Sequence, residues 1–146
     1  MKSLKIKRLN ENAILPERAS AGAAGMDLHA CIPSPVTIAP RELVRIPTGL
    51  AIALPDENMV ALIFARSGLG IKHGVSLSNA VGVIDSDYRG EIMVGLQNSG
   101  STDFSVQPGD RIAQLMVTPV IQASIQMVEE LDETERGTGG FGSTGT

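Results

Sequence analysis

The apolar runs of this chain are short, and that limits its fold more than anything else. The longest, MVALIFA at 59–65, has seven residues. Others follow at close intervals: LKIKRL, PVTIA, ELVRIP, GLAIALP, GVID, EIMVGLQN, FSVQ, RIAQLMVTP and ASIQMV. Gly, Pro, Asn and Asp close most of them, as turn residues do. Several runs alternate apolar and polar side chains, the pattern of a half-buried strand. None approaches the ~18 residues of a membrane span. No window holds a 3.6-residue period, and ARSGLG at 65–70 is the single place where a helical turn is expected. Many short strands at close spacing predict an antiparallel all-β fold: a sandwich, jelly roll or barrel.

A chain of 146 residues fits one domain. Aromatics are 3%, so the core must be built from Val, Ile, Leu, Met and Ala. The net charge of −4 argues against a surface made to coat nucleic acid or to lie on an anionic membrane. A single cysteine, Cys31, excludes an internal disulfide, and His29 and His73 show no metal-ligand spacing. MKSLKIKRLN has no apolar signal-peptide core, so a cytoplasmic, reducing location is expected. Composition changes near residue 129. EELDETER carries five acids, and RGTGGFGSTGT then carries five glycines. Such sequence buries too little apolar area to fold alone. The expected organisation is a β-domain over 1–128 and a flexible arm over 129–146.

Five stretches stand apart from ordinary strand-and-turn sequence. AGAAGMDLHA (21–30) has small residues that admit close backbone approach, followed by Asp27; alone it reads as a tight turn. ARSGLG sets a cation, a hydroxyl and a flexible N–H in sequence at Arg66, Ser67 and Gly68, a set suited to phosphate oxygens or to a plain surface turn. SNAVGVIDSDYRGEI (78–92) reads as a β-hairpin. In it Asp85 is either a partly buried carboxylate poised as a base or, with Asp87, a turn residue, while Arg89 pairs with Glu91 or a neighbour. PGDRIAQLMV (108–117) places Gln114 inside an apolar strand, where a buried amide needs partners. RGTGGFGSTGT (136–146) combines a cation, a ring and hydroxyls with glycine; alone it reads as a disordered tail.

In this order, AGAAGMDL, ARSGLG, GVIDSDYRGE, GDRIAQLM and RGTGGFGSTG resemble the five ordered motifs of the trimeric deoxyuridine triphosphate nucleotidohydrolases, the dUTPases. The likeness spans residues 21–145. Met26 and Ala65 stand where the family often has Tyr and usually has Pro. The resemblance implies a β-jelly roll and a homotrimer with three sites shared between subunits. It implies hydrolysis of dUTP to dUMP and pyrophosphate by water attack on the α-phosphorus, with Mg²⁺. That reaction supplies dUMP for thymidylate synthesis and keeps uracil out of DNA.

The resemblance also assigns roles. Asp85 becomes the general base, and Gln114 helps hold the water and the α-phosphate. Arg66, Ser67 and Gly68 take the phosphate chain, and Asp27 reaches Mg²⁺ through a water. Asn79 and the backbone of Gly82, Val83 and Ile84 meet the uracil edge. Tyr88 lies under the deoxyribose, and Met93 lines the same pocket. From the arm, Phe141 stacks on uracil and Arg136 approaches the phosphates. Gly142, Ser143 and Thr144 cradle the γ-phosphate. Two other readings remain: a deaminase of dCTP on a related fold, marked by ammonia release, and a nucleotide sensor that binds without turnover.

Overall fold

The computed structural model describes residues 3–140. Its elements run β1 (Lys5–Arg8), β2 (Met26–His29), β3 (Val36–Ile38), β4 (Leu43–Pro47), β5 (Leu50–Ala53) and β6 (Met59–Phe64). They continue with α1 (Ser67–His73), β7 (Val75–Leu77), β8 (Gly82–Ile84), β9 (Met93–Asn98), β10 (Phe104–Val106) and β11 (Arg111–Pro119). Every strand pairing is antiparallel. The sheets are β2-β11-β6-β8, β4-β9-β7 and the pairs β1-β5 and β10-β3. The chain is a jelly roll, and the all-β expectation holds.

The core is aliphatic, as the scarcity of aromatics required. Leu28, Ile38, Leu50, Ile92, Leu96 and Leu115 are among its fully buried side chains. β9 shows the governing alternation: Val94, Leu96 and Asn98 point inward, while Met93, Gly95 and Gln97 point out. Asn98 is the polar member of that face. Its Nδ2 donates to the carbonyls of Ile38 and Thr102, both at 2.8 Å, and its Oδ1 accepts from the Gly100 N–H at 2.9 Å. Those partners make its burial affordable. The Thr48–Gly49 turn is tied across the fold in the same way. Thr48 Oγ1 donates to the Ile92 carbonyl at 2.7 Å, and the Gly49 N–H donates to Glu91 Oε1 at 2.7 Å. Gly49 has φ of 68°, and a Cβ there would lie 2.8 Å from Cys31 Sγ, so both conformation and space call for glycine.

Two expectations change. The 78–92 stretch is not a paired hairpin. β8 pairs with β6, whereas β9 lies between β4 and β7, and residues 85–92 carry the chain from one sheet to the other. Both edges of β9 are taken, so β8 has no place beside it. Of the two partners open to Arg89, Glu91 or a neighbour, it takes neighbours: its Nη1 donates to the carbonyls of Ser86 and Tyr88 at 2.7 and 2.8 Å. ASIQMV is not a strand. The last strand ends at Pro119. Val120 N–H and Gln122 Nε2 reach the carbonyls of Asn58 and Glu57, and Ile125 and Met127 then lie exposed with no strand to pair.

The helical turn at ARSGLG extends to a seven-residue helix, closed by Gly74 in the left-handed conformation at φ 67°. AGAAGMDLHA, read as a turn, contributes a strand, β2. Among the described residues no helix is long and apolar enough to cross a membrane.

Candidate active site

Two cavities gather most of the candidate residues. The first, of about 330 Å³, lies where β8 and the 85–92 crossover face β9. Asn79 and the backbone of Gly82, Val83 and Ile84 form one wall. Asp85, Tyr88 and Met93 line the rest. Tyr88 Oη donates to the Glu91 carbonyl at 3.0 Å, which lays its ring across Gly90; a Cβ there would overlap the ring. Asn79 is held by a tight local turn in which Ala80 takes φ of 61° and the Val81 N–H donates to the Asn79 carbonyl at 2.7 Å. Asp85 is exposed, which matches the turn-residue alternative and not the partly buried one. It stands just past the end of β8, beyond the last ladder position at Ile84, and its carbonyl accepts from the Tyr88 N–H at 3.2 Å.

The second cavity, of about 310 Å³, lies between β2, β11 and the start of α1. Asp27, Arg66, Ser67, Gly68 and Gln114 all line it. Asp27 is the hub. Arg66 Nε donates to its Oδ1 at 3.0 Å, and Arg111 Nη1 to its Oδ2 at 3.3 Å. One carboxylate between two guanidinium groups leaves the cradle net positive, as a phosphate chain requires. Gln114 stands opposite Asp27 in the β11–β2 ladder, and its Nε2 donates to the Ala65 carbonyl at 3.0 Å. It is half-buried rather than outward-facing. Its Oε1 lies against Gly25, where a Cβ would stand only 2.7 Å away. The glycine opens the space for the amide. The Ser67 and Gly68 N–H groups open a helix and have no preceding turn to bond.

His29 continues the same strand. Burial holds its pKa below the ordinary imidazole value; Asp27 opposes that shift, and Arg111 adds to it. Its Nδ1 is buried without a hydrogen-bond partner among the described residues.

The two cavities share no lining residue among those described. Asp27 on β2 and Gly82–Ile84 on β8 occupy opposite edges of the sheet β2-β11-β6-β8. Three strand spacings separate them, about 14 Å. Gln114, on β11, is two strand spacings from β8, about 10 Å, and stands opposite Phe64 where Ile84 stands opposite Ala61, so one chain does not bring Asp85 to Gln114. Arg136 lines neither cavity; its Nε donates to the Gly139 carbonyl at 2.9 Å in an exposed turn. Phe141, Gly142, Ser143 and Thr144 lie outside the described residues.

Arg111 and Glu91 were not among the candidate site residues read from the sequence. Arg111 joins Asp27 only through the register of β11 on β2, which no local pattern reveals. Glu91 resembles the polar start of a strand, yet it ties the Thr48–Gly49 turn to the wall of the first cavity.

The dUTPase family model matches residues 11–145. A deoxyuridine 5'-triphosphate nucleotidohydrolase of Tolumonas auensis is 52% identical, with 99% of each chain covered. One of Aeromonas salmonicida is also 52% identical, over 94% of this chain and 91% of the relative. Among solved structures, a Staphylococcus bacteriophage 80alpha dUTPase mutant with dUpNHpp aligns with a TM-score of 0.90 at 27% identity, covering 99% of both chains. A phage phi11 dUTPase mutant, described for its coordination of a structural Mg(II) ion, aligns at 0.80 and 25% identity over 88% of this chain and 97% of its own. The order of the motifs, the two polar cradles and this likeness along the whole chain agree: the chain belongs to the dUTPase family.

Proposed function

We infer that the two cavities are complementary halves of one site, brought together from different copies of the chain. The reaction is the family's: dUTP and water give dUMP and pyrophosphate, and the chain is a dUTP diphosphatase. The observation that carries the shared site is the ~14 Å between halves that are each chemically incomplete. The first has a carboxylate and a snug backbone-walled slot but no cradle for a triphosphate. The second has paired guanidinium groups and an amide but no slot for a base.

In this reading uracil enters the first cavity against Asn79 and the backbone of Gly82, Val83 and Ile84. Main-chain groups along an edge strand can pair a base edge, and their closeness excludes a 5-methyl group. The Tyr88 ring supports the deoxyribose and leaves no room for a 2′-hydroxyl, with Met93 beside it. Arg66, Ser67 and Gly68 of a neighbouring chain receive the phosphates. Gln114 orients the water and the α-phosphate. Asp85 accepts the water's proton as its oxygen attacks the α-phosphorus, and pyrophosphate leaves toward the Arg66 side.

The donor set fits Mg²⁺ bound mainly by phosphates. Among the described residues no three of His, Cys, Asp and Glu gather, and Asp27, with both oxygens already holding an arginine, suits a water-bridged contact. When bound, the ion would neutralise charge on the phosphate chain.

The assembly is a homotrimer in this account. Ile121, Ile125, Met127 and Leu131 are 87% or more exposed in the single chain, an apolar series that a partner would cover. The arm from 129 then reaches a neighbour's site. There Phe141 stacks on the base, Arg136 meets phosphate, and Gly142, Ser143 and Thr144 wrap the γ-phosphate. Ordering it costs about 1 kcal/mol or more per residue, which only a full triphosphate offsets. Pyrophosphate release with Mg²⁺ tests the function, comparing dUTP with dTTP, dCTP and UTP. Release from dUTP alone is expected. Release from dTTP or UTP would overturn the selective slot, and ammonia from dCTP would mark a deaminase.

A further inference from the structure

Glu91 lines the first cavity, and the mechanism above leaves it without a part. It closes the crossover that carries Asp85 and Tyr88. Bonds within that crossover shape it: the Tyr88 N–H donates to the Asp85 carbonyl at 3.2 Å, and Arg89 Nη1 holds the carbonyls of Ser86 and Tyr88. Glu91 and Ile92 join it to the 48–50 turn. The Thr48 N–H and Oγ1 both donate to the Ile92 carbonyl, at 3.2 and 2.7 Å, and the Ile92 N–H donates to the Leu50 carbonyl at 2.8 Å. The remaining bond belongs to the Glu91 side chain, whose Oε1 accepts from the Gly49 N–H at 2.7 Å. A carboxylate accepting from an amide makes a strong hydrogen bond.

That donor is itself fixed. Gly49 has φ of 68°, its carbonyl accepts from the Leu9 N–H at 2.8 Å, and Ala13 and Cys31 fill the space beside its Cα. The Glu91 main chain meets the other end of the linkage, because its carbonyl accepts from Tyr88 Oη at 3.0 Å. Tyr88 is 46% exposed, so packing alone does not fix the tilt of its ring. The hydroxyl bond does. We propose that Glu91 is a positioning residue for sugar selection: its carboxylate, anchored on Gly49, holds its own carbonyl in place, and that carbonyl holds the Tyr88 ring where a 2′-hydroxyl finds no room. This rests on the reading that the deoxyribose lies on Tyr88, and it assigns the specificity to a linkage running from the Gly49 turn to the ring. Without the anchor, the carbonyl and the ring shift together, and the slot admits the larger sugar.

Steady-state pyrophosphate release by the full-length protein with Mg²⁺ tests this, read as kcat/KM for dUTP divided by kcat/KM for UTP. Glu91→Ala should lower that ratio about tenfold, the worth of one hydrogen bond. Glu91→Gln keeps an oxygen for the Gly49 N–H and should stay within about threefold of the unaltered protein. Tyr88→Phe breaks the same linkage at its other end and should lower the ratio as Glu91→Ala does. The double variant should fall no further, because both changes break one linkage. Glu91→Asp keeps the charge but is too short to reach Gly49, so it should also lower the ratio, and it decides the matter where Glu91→Ala does not fold. A ratio that Glu91→Ala or Glu91→Asp leaves unchanged would overturn the proposal. So would a loss in Glu91→Gln as large as in Glu91→Ala, or losses that multiply in the double variant. The unaltered protein separates the two readings. If it prefers dUTP and the Glu91 variants keep that preference, the positioning role alone fails. If it never discriminates between the two sugars, the selective slot fails, and this role with it.

Discussion

Asp85 is the residue on which the chemistry turns. Asp85→Asn keeps the shape of the cavity and removes the proton acceptor. Turnover should fall by about 10²–10⁴-fold, while calorimetry shows a non-hydrolysable dUTP analogue still binding. Near-normal turnover would remove Asp85 from that role. Gly25 offers a sharper test of position. Its backbone angles suit alanine, but the new Cβ would press on Gln114 Oε1. Gly25→Ala should lower kcat about 10- to 100-fold with little change in melting temperature. His29 gives a pH signature. Its folded pKa is lowered, so the unfolded chain binds its proton more readily. Its contribution is intact above the ordinary imidazole pKa and is lost as pH falls below about 6.5. Denaturant midpoints should decline between pH 7 and 5, and His29→Gln should flatten that decline. At this scale Asp27, Arg66 and Gln114 stood out only through the resemblance of the five ordered motifs, since each stretch taken alone read as an ordinary turn or strand. Their surroundings were not legible. The exposure of Asp85 follows from where β8 stops, and the two arginines on Asp27 follow from strand register.

Strands were legible wherever a run alternated and stood between turn residues, as β9 and β11 do. β2 was obscured because Asp27 and His29 alternate with Met26 and Leu28 in only four residues, too few to show a period. The pairing of β8 and β9 misled for another reason. Turn chemistry shows that a chain reverses, but not which sheet each run joins, and β9 already had neighbours on both edges. A turn was expected where α1 begins, but its full length was not legible, because Gly68 and Gly70 are poor helix formers. The element most exposed to a stability test is β9, through Asn98. Asn98→Ala would strand two carbonyls and one N–H inside the fold. Chemical denaturation should report a loss of about 2–4 kcal/mol with an unchanged m-value, since each stranded group costs about 1–3 kcal/mol. A loss under about 0.5 kcal/mol, as at an ordinary surface position, would contradict the role given to that network.

At the scale of the molecule, the sequence displayed a β-body and a glycine-rich arm but left their junction vague. ASIQMV has the pattern of a strand without a partner in its own chain, so a pattern-based boundary at residue 128 runs past the last strand at Pro119. Deleting residues 136–146 should lower kcat/KM about 10²-fold through lost closure, while circular dichroism and sedimentation remain unchanged. The central claim is that the base slot and the phosphate cradle of a working site come from different chains, and subunit mixing tests it directly. Asp85→Asn chains and Gln114→Ala chains, each inactive alone, are co-refolded in equal amounts and assayed for pyrophosphate release from dUTP. If the halves come from neighbouring copies, unlike neighbours reconstitute intact sites, and roughly a quarter of wild-type activity should appear. If the mixture stays as inactive as its parents, Asp85 and Gln114 serve the same chain's site, and the shared-site account is wrong.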